Sequence, residues 1–276
     1  MNLIEKYFKK LLEKYKWGSN PFYYIAGMNN IHPSFIQGML TDNRYGTLEI
    51  LGVLDNLKSE GGKKFNKEIL EMRSQSYAQK TKGSWDPKDI IKNREVLILG
   101  SGPGVKNYKK ELEIFIKKNK LFVIALNTQN SINSKLINRR AVCNTLRLLT
   151  DHKLFKFLPQ KLIIPYQRLS NLIKKKFSSV KKLDFGVEVK NDRFQFMKSS
   201  AIIPNTLAIS YALGIANSGK AKKIYIAGFD GYDEEDPKKR EMDELFFLYQ
   251  SLIKKTELVS ITPTKYNIKS TSIHNL

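Results

Sequence analysis

Short apolar runs alternate with helical patterns from residue 95 to the end of the chain, and this alternation limits the possible folds most strongly. EVLIL (Glu95–Leu99), FVIAL (Phe122–Leu126) and KIYIA (Lys223–Ala227) have the composition of buried parallel strands. The segments between them place apolar residues at helical spacing. The pattern predicts an α/β domain over residues 94–276, with a mostly parallel sheet and helices on both faces.

The remaining elements of this domain are predicted in the same way. They are strands at Ala141–Cys143, Lys161–Ile164 and Leu258–Ile261, and helices at Lys106–Asn119, Thr206–Asn217 and Met242–Ile253. A glycine loop between the first strand and its helix makes the predicted sheet Rossmann-like.

The first block, residues 1–90, predicts a different architecture. Leu48, Leu51, Leu54 and Leu57 recur at helical spacing, and no strand pattern interrupts the block. An N-terminal all-helical block is therefore expected. The polar stretch KGSWDPKDIIKNRE, which contains Asp86-Pro87, is the predicted junction between the two domains.

The net charge of +22 suits an anionic partner, although general lysine enrichment is the favoured explanation. The sequence has neither zinc-finger spacing nor an RNP-like aromatic motif, so it does not indicate a specific nucleic-acid partner. The basic amphipathic N-terminus could lie on an anionic membrane surface. The chain has a single cysteine, Cys143, and no apolar run of about 20 residues. These features predict a cytoplasmic protein, with a peripheral position at the inner membrane as an option.

Small and hydrogen-bonding residues follow the predicted strands directly. Because ligands of open parallel sheets bind at the carboxyl ends of the strands, these segments are the candidate site. The candidates for ligand binding are Gly100, Ser101, Gly102, Pro103, Asn127, Asn144, Arg147, Thr206, Gly228, Thr262 and Thr264.

The glycine loop Gly100–Gly104 has two readings. Glycines let the backbone approach a ligand, and amides that open a helix attract anions, so the loop could hold a phosphate. The alternative is a tight strand–helix turn without a ligand. The loop is neither a GxGxxG fingerprint nor a Walker loop, since Lys106 and Asn107 stand where a third glycine would fall and no Gly-Lys-Ser/Thr follows.

Asp230 and Tyr232 are the main candidates for catalysis. A carboxylate and a phenol at the end of a strand can orient a sugar and stabilise a leaving phosphate, although an Asp-Gly turn explains Asp230 as well. Asn127 and Asn144 could each contact a base or ribose, or cap a turn. Metal chemistry has little support, because the three histidines show no ligand spacing and the DEED tract, which could hold Mg²⁺, lacks a recognisable loop pattern.

These residues resemble a known family. VLILGSGPGVKNY, IALN and NTLAISYALGIANSGKAKKIYIAGFDGY are similar to the bacterial sialyltransferases and their relatives of the domain-of-unknown-function 115 type. The resemblance implies a CMP-sugar donor, a glycan acceptor and no certain bound cofactor. It places nucleotide contacts on Ser101, Gly102, Asn127 and Asn144, and it assigns the leaving phosphate to Tyr232.

The chain departs from that family at one point. Those enzymes carry a catalytic histidine on the segment that leads into the helix before the last strand, and KKREMDELFFLY has none. Glu241 or Asp243 is then the candidate base.

The first block resembles a second family. YYIAGMNNIHPSFIQGMLTDNRY and ILGVLDNLKSEGGKKFNKEIL are similar to the helical C-terminal part of 4-hydroxy-2-oxovalerate-type aldolases. The metal-binding barrel of those enzymes is missing, so aldolase activity is not expected. A homo-oligomer or an aldolase-like barrel partner is the expectation for this block.

Three functions follow from the sequence. The first is a glycosyltransferase of surface-polysaccharide synthesis that uses a nucleotide-linked donor. The second is a non-catalytic nucleotide-binding subunit that partners an aldolase-like barrel enzyme. The third is another nucleotide-dependent enzyme, such as a pyrophosphokinase-like transferase, which would require Mg²⁺ and ATP.

Overall fold

A computed structural model describes residues 82–144, 147–148, 151–169, 171–190, 192–233 and 237–276. All of them belong to the second of two units into which the chain divides, Tyr77–Leu276. Residues 1–81 of the predicted all-helical block, which include both segments of its aldolase resemblance, lie outside the described residues.

Strands and helices alternate along this unit, as the sequence predicts. In chain order the strands are β1 (Glu95–Leu99), β2 (Phe122–Leu126), β3 (Arg139–Ala141), β4 (Lys161–Ile164), β5 (Lys182–Asp184), β6 (Gly186–Val189), β7 (Gln195–Phe196), β8 (Ser200–Ile203), β9 (Lys223–Ala227) and β10 (Leu258–Ser260). The α-helices are α1 (Lys88–Ile91), α2 (Gly104–Asn107), α3 (Lys109–Asn119), α4 (His152–Phe157), α5 (Asn171–Lys176), α6 (Ala208–Ser218) and α7 (Pro237–Ser251).

The main sheet has seven strands in the order β10-β9-β1-β2-β3-β4-β5. Every adjacent pair in it is parallel. The register places Leu99 opposite both Ala125 and Ala227, so the carboxyl ends of β1, β2 and β9 lie at the same level. The α/β fold with a Rossmann-like parallel sheet is confirmed.

Alternate residues of the strands enter two separate cores, which explains why the runs are apolar without interruption. On one face, Ile98 and Ile124 pack with buried residues of α6 and α7, such as Leu213 and Phe246. On the other face, the neighbouring strand residues pack against α3 through Leu112, Phe115 and Ile116. Helices therefore cover both faces.

The structure differs from the sequence prediction at β3. The expected strand Ala141–Cys143 is Arg139–Ala141, two residues earlier. A search for apolar runs does not find this strand, because it begins with the charged pair Arg139-Arg140. Arg140 is nevertheless fully buried, and a glutamine side chain and two backbone carbonyls accept hydrogen bonds from its guanidinium.

A small second sheet was not predicted. β6 pairs in parallel with β8, and β7 pairs with β8 in antiparallel orientation. Its strands are short and follow β5, which is itself only three residues long. Such runs are too short to be told from loops by periodicity.

The stretch predicted as a junction packs on the α/β unit. The amide of Gly83 donates to the carbonyl of Ser199, and the amide of Trp85 donates to the carbonyl of Asp184. Ile91 of α1 is fully buried in the core. Across the described part of the chain, no helix is both long enough and apolar enough to cross a bilayer.

Candidate functional site

The strand order changes direction at β1. Strands β2 to β5 are added on one side of it, and β9 and β10 on the other. Loops that leave the carboxyl ends of β1 and β9 therefore run to opposite faces of the sheet, which leaves a crevice between them. Gly100–Gly104 follows β1 and Gly228–Tyr232 follows β9. The two segments singled out in the sequence are thus neighbours at the switch point.

Backbone hydrogen bonds hold these two loops together. The amide of Gly100 donates to the carbonyl of Ala227 at 2.8 Å, and the amide of Gly102 donates to the carbonyl of Gly228 at 2.9 Å. A β-carbon on Gly102 would lie 2.0 Å from Asp230 Oδ2 and 2.7 Å from the carbonyl oxygen of Gly228. Gly228 has a φ of +76°, which side chains rarely allow. Glycine is required at both positions.

Asp230 binds the glycine loop directly. The amide of Gly104, at the start of α2, donates to Asp230 Oδ1 at 2.9 Å. Asp230 Oδ2 is buried and has no hydrogen-bond partner among the residues that the structure describes. The carboxylate therefore occupies the space in front of the first amide of α2, where a Rossmann-type loop would receive an anion. A phosphate placed there would meet a like charge.

A cavity of about 330 Å³ lies between the loops. It brings together eight of the predicted residues: Gly100, Ser101, Gly102, Pro103, Asn127, Gly228, Asp230 and Tyr232. Phe229 and Gly231 of the predicted segment Gly228–Tyr232 also line it, and six residues that were not predicted complete the wall: Leu126, Leu207, Ala208, Ile209, Met242 and Tyr266. The convergence of three predicted loops on one cavity is the main finding at this edge.

The amino terminus of α6 contributes to the wall through the residues after Thr206, which is the residue predicted there. Leu207, Ala208 and Ile209 line the cavity at the start of this 11-residue helix. Asn205 precedes them, and its side chain accepts a hydrogen bond from the amide of Leu207 at 3.2 Å. The aligned peptide dipoles make this end of a helix positive. An asparagine just before an apolar helix was the available signal for the start of α6.

Two residues predicted as ligand contacts, Thr262 and Thr264, form hydrogen bonds to the loop after β9 instead. Thr262 Oγ1 accepts a hydrogen bond from the amide of Gly228 at 3.0 Å, and Thr264 Oγ1 donates to the carbonyl of Phe229 at 2.7 Å. Neither residue lines the cavity. Both hydroxyl groups position the loop that carries Asp230.

Four further candidates lie off the cavity wall. Asn144 Oδ1 accepts a hydrogen bond from the amide of Arg147 at 3.3 Å, and the carbonyl of Thr206 lies 3.3 Å from Cys143 Sγ. Glu241 adjoins Met242, which does line the cavity. Direct ligand contact by Asn144, Arg147, Thr206 or Glu241 stays a prediction.

A buried arginine lies behind the loop after β2. The side chain of Arg140 is fully buried, and its Nη1 donates to the carbonyls of Asn127 at 3.2 Å and Gln129 at 2.6 Å. Its Nε donates to Gln160 Oε1 at 2.9 Å. Gln129 in turn donates from Nε2 to the carbonyl of Gly100. These bonds connect β3 to the glycine loop.

The charge of Arg140 has no carboxylate partner among the described residues, and its Nη2 has no hydrogen-bond partner. Burial lowers the pKa of Arg140 to about 10 by removing water from the guanidinium, so the group is still charged at neutral pH. An uncompensated buried cation favours an anion nearby. Its contact with Asn127, which lines the cavity, places this charge behind the cavity wall.

Within the described residues, no three His, Cys, Asp or Glu side chains group together as metal ligands.

Comparisons with known proteins give a similar fold. No family profile and no curated protein matches the chain. Among solved structures, the fold is similar to that of the MAf glycosyltransferase from Magnetospirillum magneticum AMB-1, with a TM-score of 0.52 and 12% sequence identity. The similarity covers 84% of this chain and 43% of that one. The chain therefore spans less than half the length of that protein, and the likeness is one of fold alone.

Proposed function

We propose that this protein binds a nucleotide sugar at the carboxyl edge of its sheet and transfers the sugar to a glycan acceptor in surface-polysaccharide synthesis. The observation that supports it most is the cavity at the switch point, where the glycine loop, Asn127 and Tyr232 meet. The resemblance to sialyltransferases favours a CMP-linked donor, and the solved neighbour is named as a glycosyltransferase.

The cavity combines apolar and positive features. Leu126, Leu207 and Ile209 are apolar residues of its wall, which suits the flat face of a base. The positive end of α6 and the charge of Arg140 favour a phosphate. Asp230 holds the glycine loop in place through Gly104.

Sugar transfer in this site forms one bond and breaks one. The acceptor oxygen attacks the anomeric carbon while the bond from that carbon to the donor phosphate oxygen breaks. The hydroxyl of Tyr232 donates a hydrogen bond to the leaving phosphate and stabilises its charge. The acceptor proton passes to a carboxylate of α7, Glu241 or Asp243.

A thermal-shift screen with CMP, UDP, GDP and ATP tests the binding step. A ligand present at about 100 times its Kd stabilises a protein by about 2.7 kcal/mol. For a domain of this size that corresponds to a rise in Tm of roughly 5–10 °C. We expect the largest rise with CMP, and no rise with any of the four nucleotides would contradict the proposal.

Tyr232→Phe tests the chemical step. Loss of one hydrogen bond to a developing charge lowers kcat by about 100-fold or more. We expect this drop in CMP-sugar hydrolysis or transfer while the CMP-induced shift in Tm is retained. Wild-type turnover in Tyr232→Phe would remove the assignment of Tyr232.

A specific observation favours a second function, a non-catalytic nucleotide-binding subunit. Asp230 is the one carboxylate among the described residues that line the cavity, and it is bonded to the glycine loop. Neither Glu241 nor Asp243 lines the cavity, and Asp243 is paired with Lys239, so the described wall holds no carboxylate base other than Asp230. Nucleotide binding without transfer across a panel of sugar donors, together with capture of a barrel enzyme by the full chain, would select this function.

A further inference from the structure

The edge of the main sheet opposite the cavity carries a row of exposed lysines. Because all seven strands are parallel, their starts lie along this one edge, which we call the amino edge. At or just before six of these starts stand the exposed lysines Lys254, Lys222, Lys92, Lys120, Lys161 and Lys181, in the order of the strands across the sheet. Neighbouring strands lie about 4.8 Å apart, so the row is about 30 Å long.

The charge of this row is not neutralised within the described residues. None of the six lysines forms an ion pair with a described carboxylate. Two glutamates, Glu95 and Glu257, stand at the same edge, and Glu257 is already bonded to Lys223 and Lys269. Lysines therefore outnumber the two glutamates along this row, and its net charge is positive.

Two large apolar side chains protrude from the same edge. Phe157, at the end of α4, is 85% exposed, and Ile253, just after α7, is 98% exposed. Both precede a strand start, at β4 and β10, so they lie far apart along the row. Each has an exposed lysine beside it, Lys156 and Lys254.

We propose that the amino edge docks on an anionic membrane surface, with Phe157 and Ile253 entering the headgroup region. Spaced lysines attract a layer of anionic headgroups, and apolar side chains beside them gain free energy when they enter the apolar region beneath those headgroups. A nucleic acid would satisfy the lysines but would leave Ile253 without a partner. The charge and the protruding side chains together favour lipid.

This arrangement leaves the cavity accessible. Strands of up to five residues hold the carboxyl edge roughly 17 Å from the amino edge. A protein docked in this way turns the cavity away from the lipid, and a dissolved ligand enters from the solvent side. The proposal does not depend on which ligand the cavity binds.

Co-sedimentation of the full chain with vesicles tests the charge of the edge. Vesicles of phosphatidylcholine alone are compared with vesicles that also contain phosphatidylglycerol. The double variant Lys161→Gln/Lys254→Gln removes two charges from the amino edge, and Lys106→Gln/Lys265→Gln removes two from the carboxyl edge. We expect binding to the anionic vesicles only, lowered about 25-fold by the first pair, since each lysine near the surface contributes about fivefold. The second pair should change it little.

A second pair of variants tests insertion. Phe157→Ala should lower the partition coefficient by about tenfold, the effect expected for loss of a buried aromatic side chain. Ile114→Ala is the matched control, because Ile114 is 65% exposed in the middle of α3, away from the amino edge. Its partition coefficient should equal that of the wild type.

Several results would overturn the proposal. One is failure of the wild-type chain to bind anionic vesicles, and another is an equal loss in both lysine pairs. Equal binding by Phe157→Ala and Ile114→Ala would show that the protein adsorbs to the vesicles by charge alone, and it would exclude insertion of Phe157. Binding of a mixed-sequence RNA that depends on Lys161 and Lys254, without vesicle binding, would assign the edge to nucleic acid instead.

Discussion

The two edges of the main sheet are built by opposite means. At the carboxyl edge, glycines and backbone groups bond to one another across strands, as between Gly102 and Gly228, and a single added carbon would collide. At the amino edge, lysines extend into solvent and contact little. The structure of the carboxyl edge therefore depends on the position of individual atoms, whereas the amino edge is characterised by the sum of its charges. Substitutions at the carboxyl edge should lower the stability of the protein far more than substitutions at the amino edge.

The largest effect is expected at Gly102. Gly102→Val places its side chain on Asp230 and on the carbonyl of Gly228, and it should lower the free energy of unfolding by about 3 kcal/mol. Urea denaturation measures the change. Ser101→Val, at an exposed position in the same loop, should cost less than about 1 kcal/mol. Equal losses would show that the loop tolerates no substitution and that contact with Asp230 is not the cause.

The next effect separates two arginines. Arg140→Met leaves three oxygen acceptors without their donor, on Gln160, Asn127 and Gln129, and should lower the free energy of unfolding by about 2 kcal/mol.

Arg94→Met is the control for Arg140 at the amino edge. Arg94 is exposed and lies with its guanidinium 5.1 Å from the ring centre of Phe122. Its replacement should change stability by less than about 0.5 kcal/mol, and Arg140→Lys should restore part of the loss at Arg140. Full stability of Arg140→Met in urea would contradict the structural role of the network.

A smaller effect separates two aspartates of one loop. Asp230→Ala removes the acceptor of the Gly104 amide and should lower the free energy of unfolding by about 1.5 kcal/mol. Asp233→Ala removes an exposed ion pair with Lys265, 3.0 Å long, for which less than about 0.5 kcal/mol is expected. Thermal denaturation of both variants measures the difference, and a greater loss for Asp233→Ala would reverse the assignment.

The smallest effect is expected at the amino edge. Lys161→Gln/Lys254→Gln should leave the free energy of unfolding within about 0.5 kcal/mol of the wild type, because neither side chain has a charged partner among the described residues. Any change should favour the variant at low salt and vanish at high salt, where repulsion between lysines is screened. A loss above about 1 kcal/mol would mean that the amino edge has a structural role.

Much of the fold could be predicted from the sequence because its central strands are apolar runs with clear ends. β1, β2, β4 and β9 have the predicted bounds, since each is buried on both faces. The helices agree less well: α7 begins at Pro237, five residues before the predicted start at Met242. The charged sequence PKKRE conceals that first turn from an apolar pattern.

The site divides in the same way. The sequence indicated the glycine loop, Asn127 and Tyr232 as candidate site residues, because each follows a predicted strand directly. A residue in that position lies at the carboxyl edge of a parallel sheet. It did not indicate that Asp230 binds the amide of Gly104, or that Thr262 and Thr264 support a loop. These contacts join residues far apart in the chain.

The sequence by itself determined which segments become strands and which residues follow them, since periodicity and apolar content act over a few neighbouring residues. Only the tertiary structure decided that β9 lies beside β1, which makes two distant loops into one cavity, and that Arg140 is buried while Arg94 is exposed. The physical reason is that burial depends on which strands pack together, and a lone arginine carries no local signal of that choice.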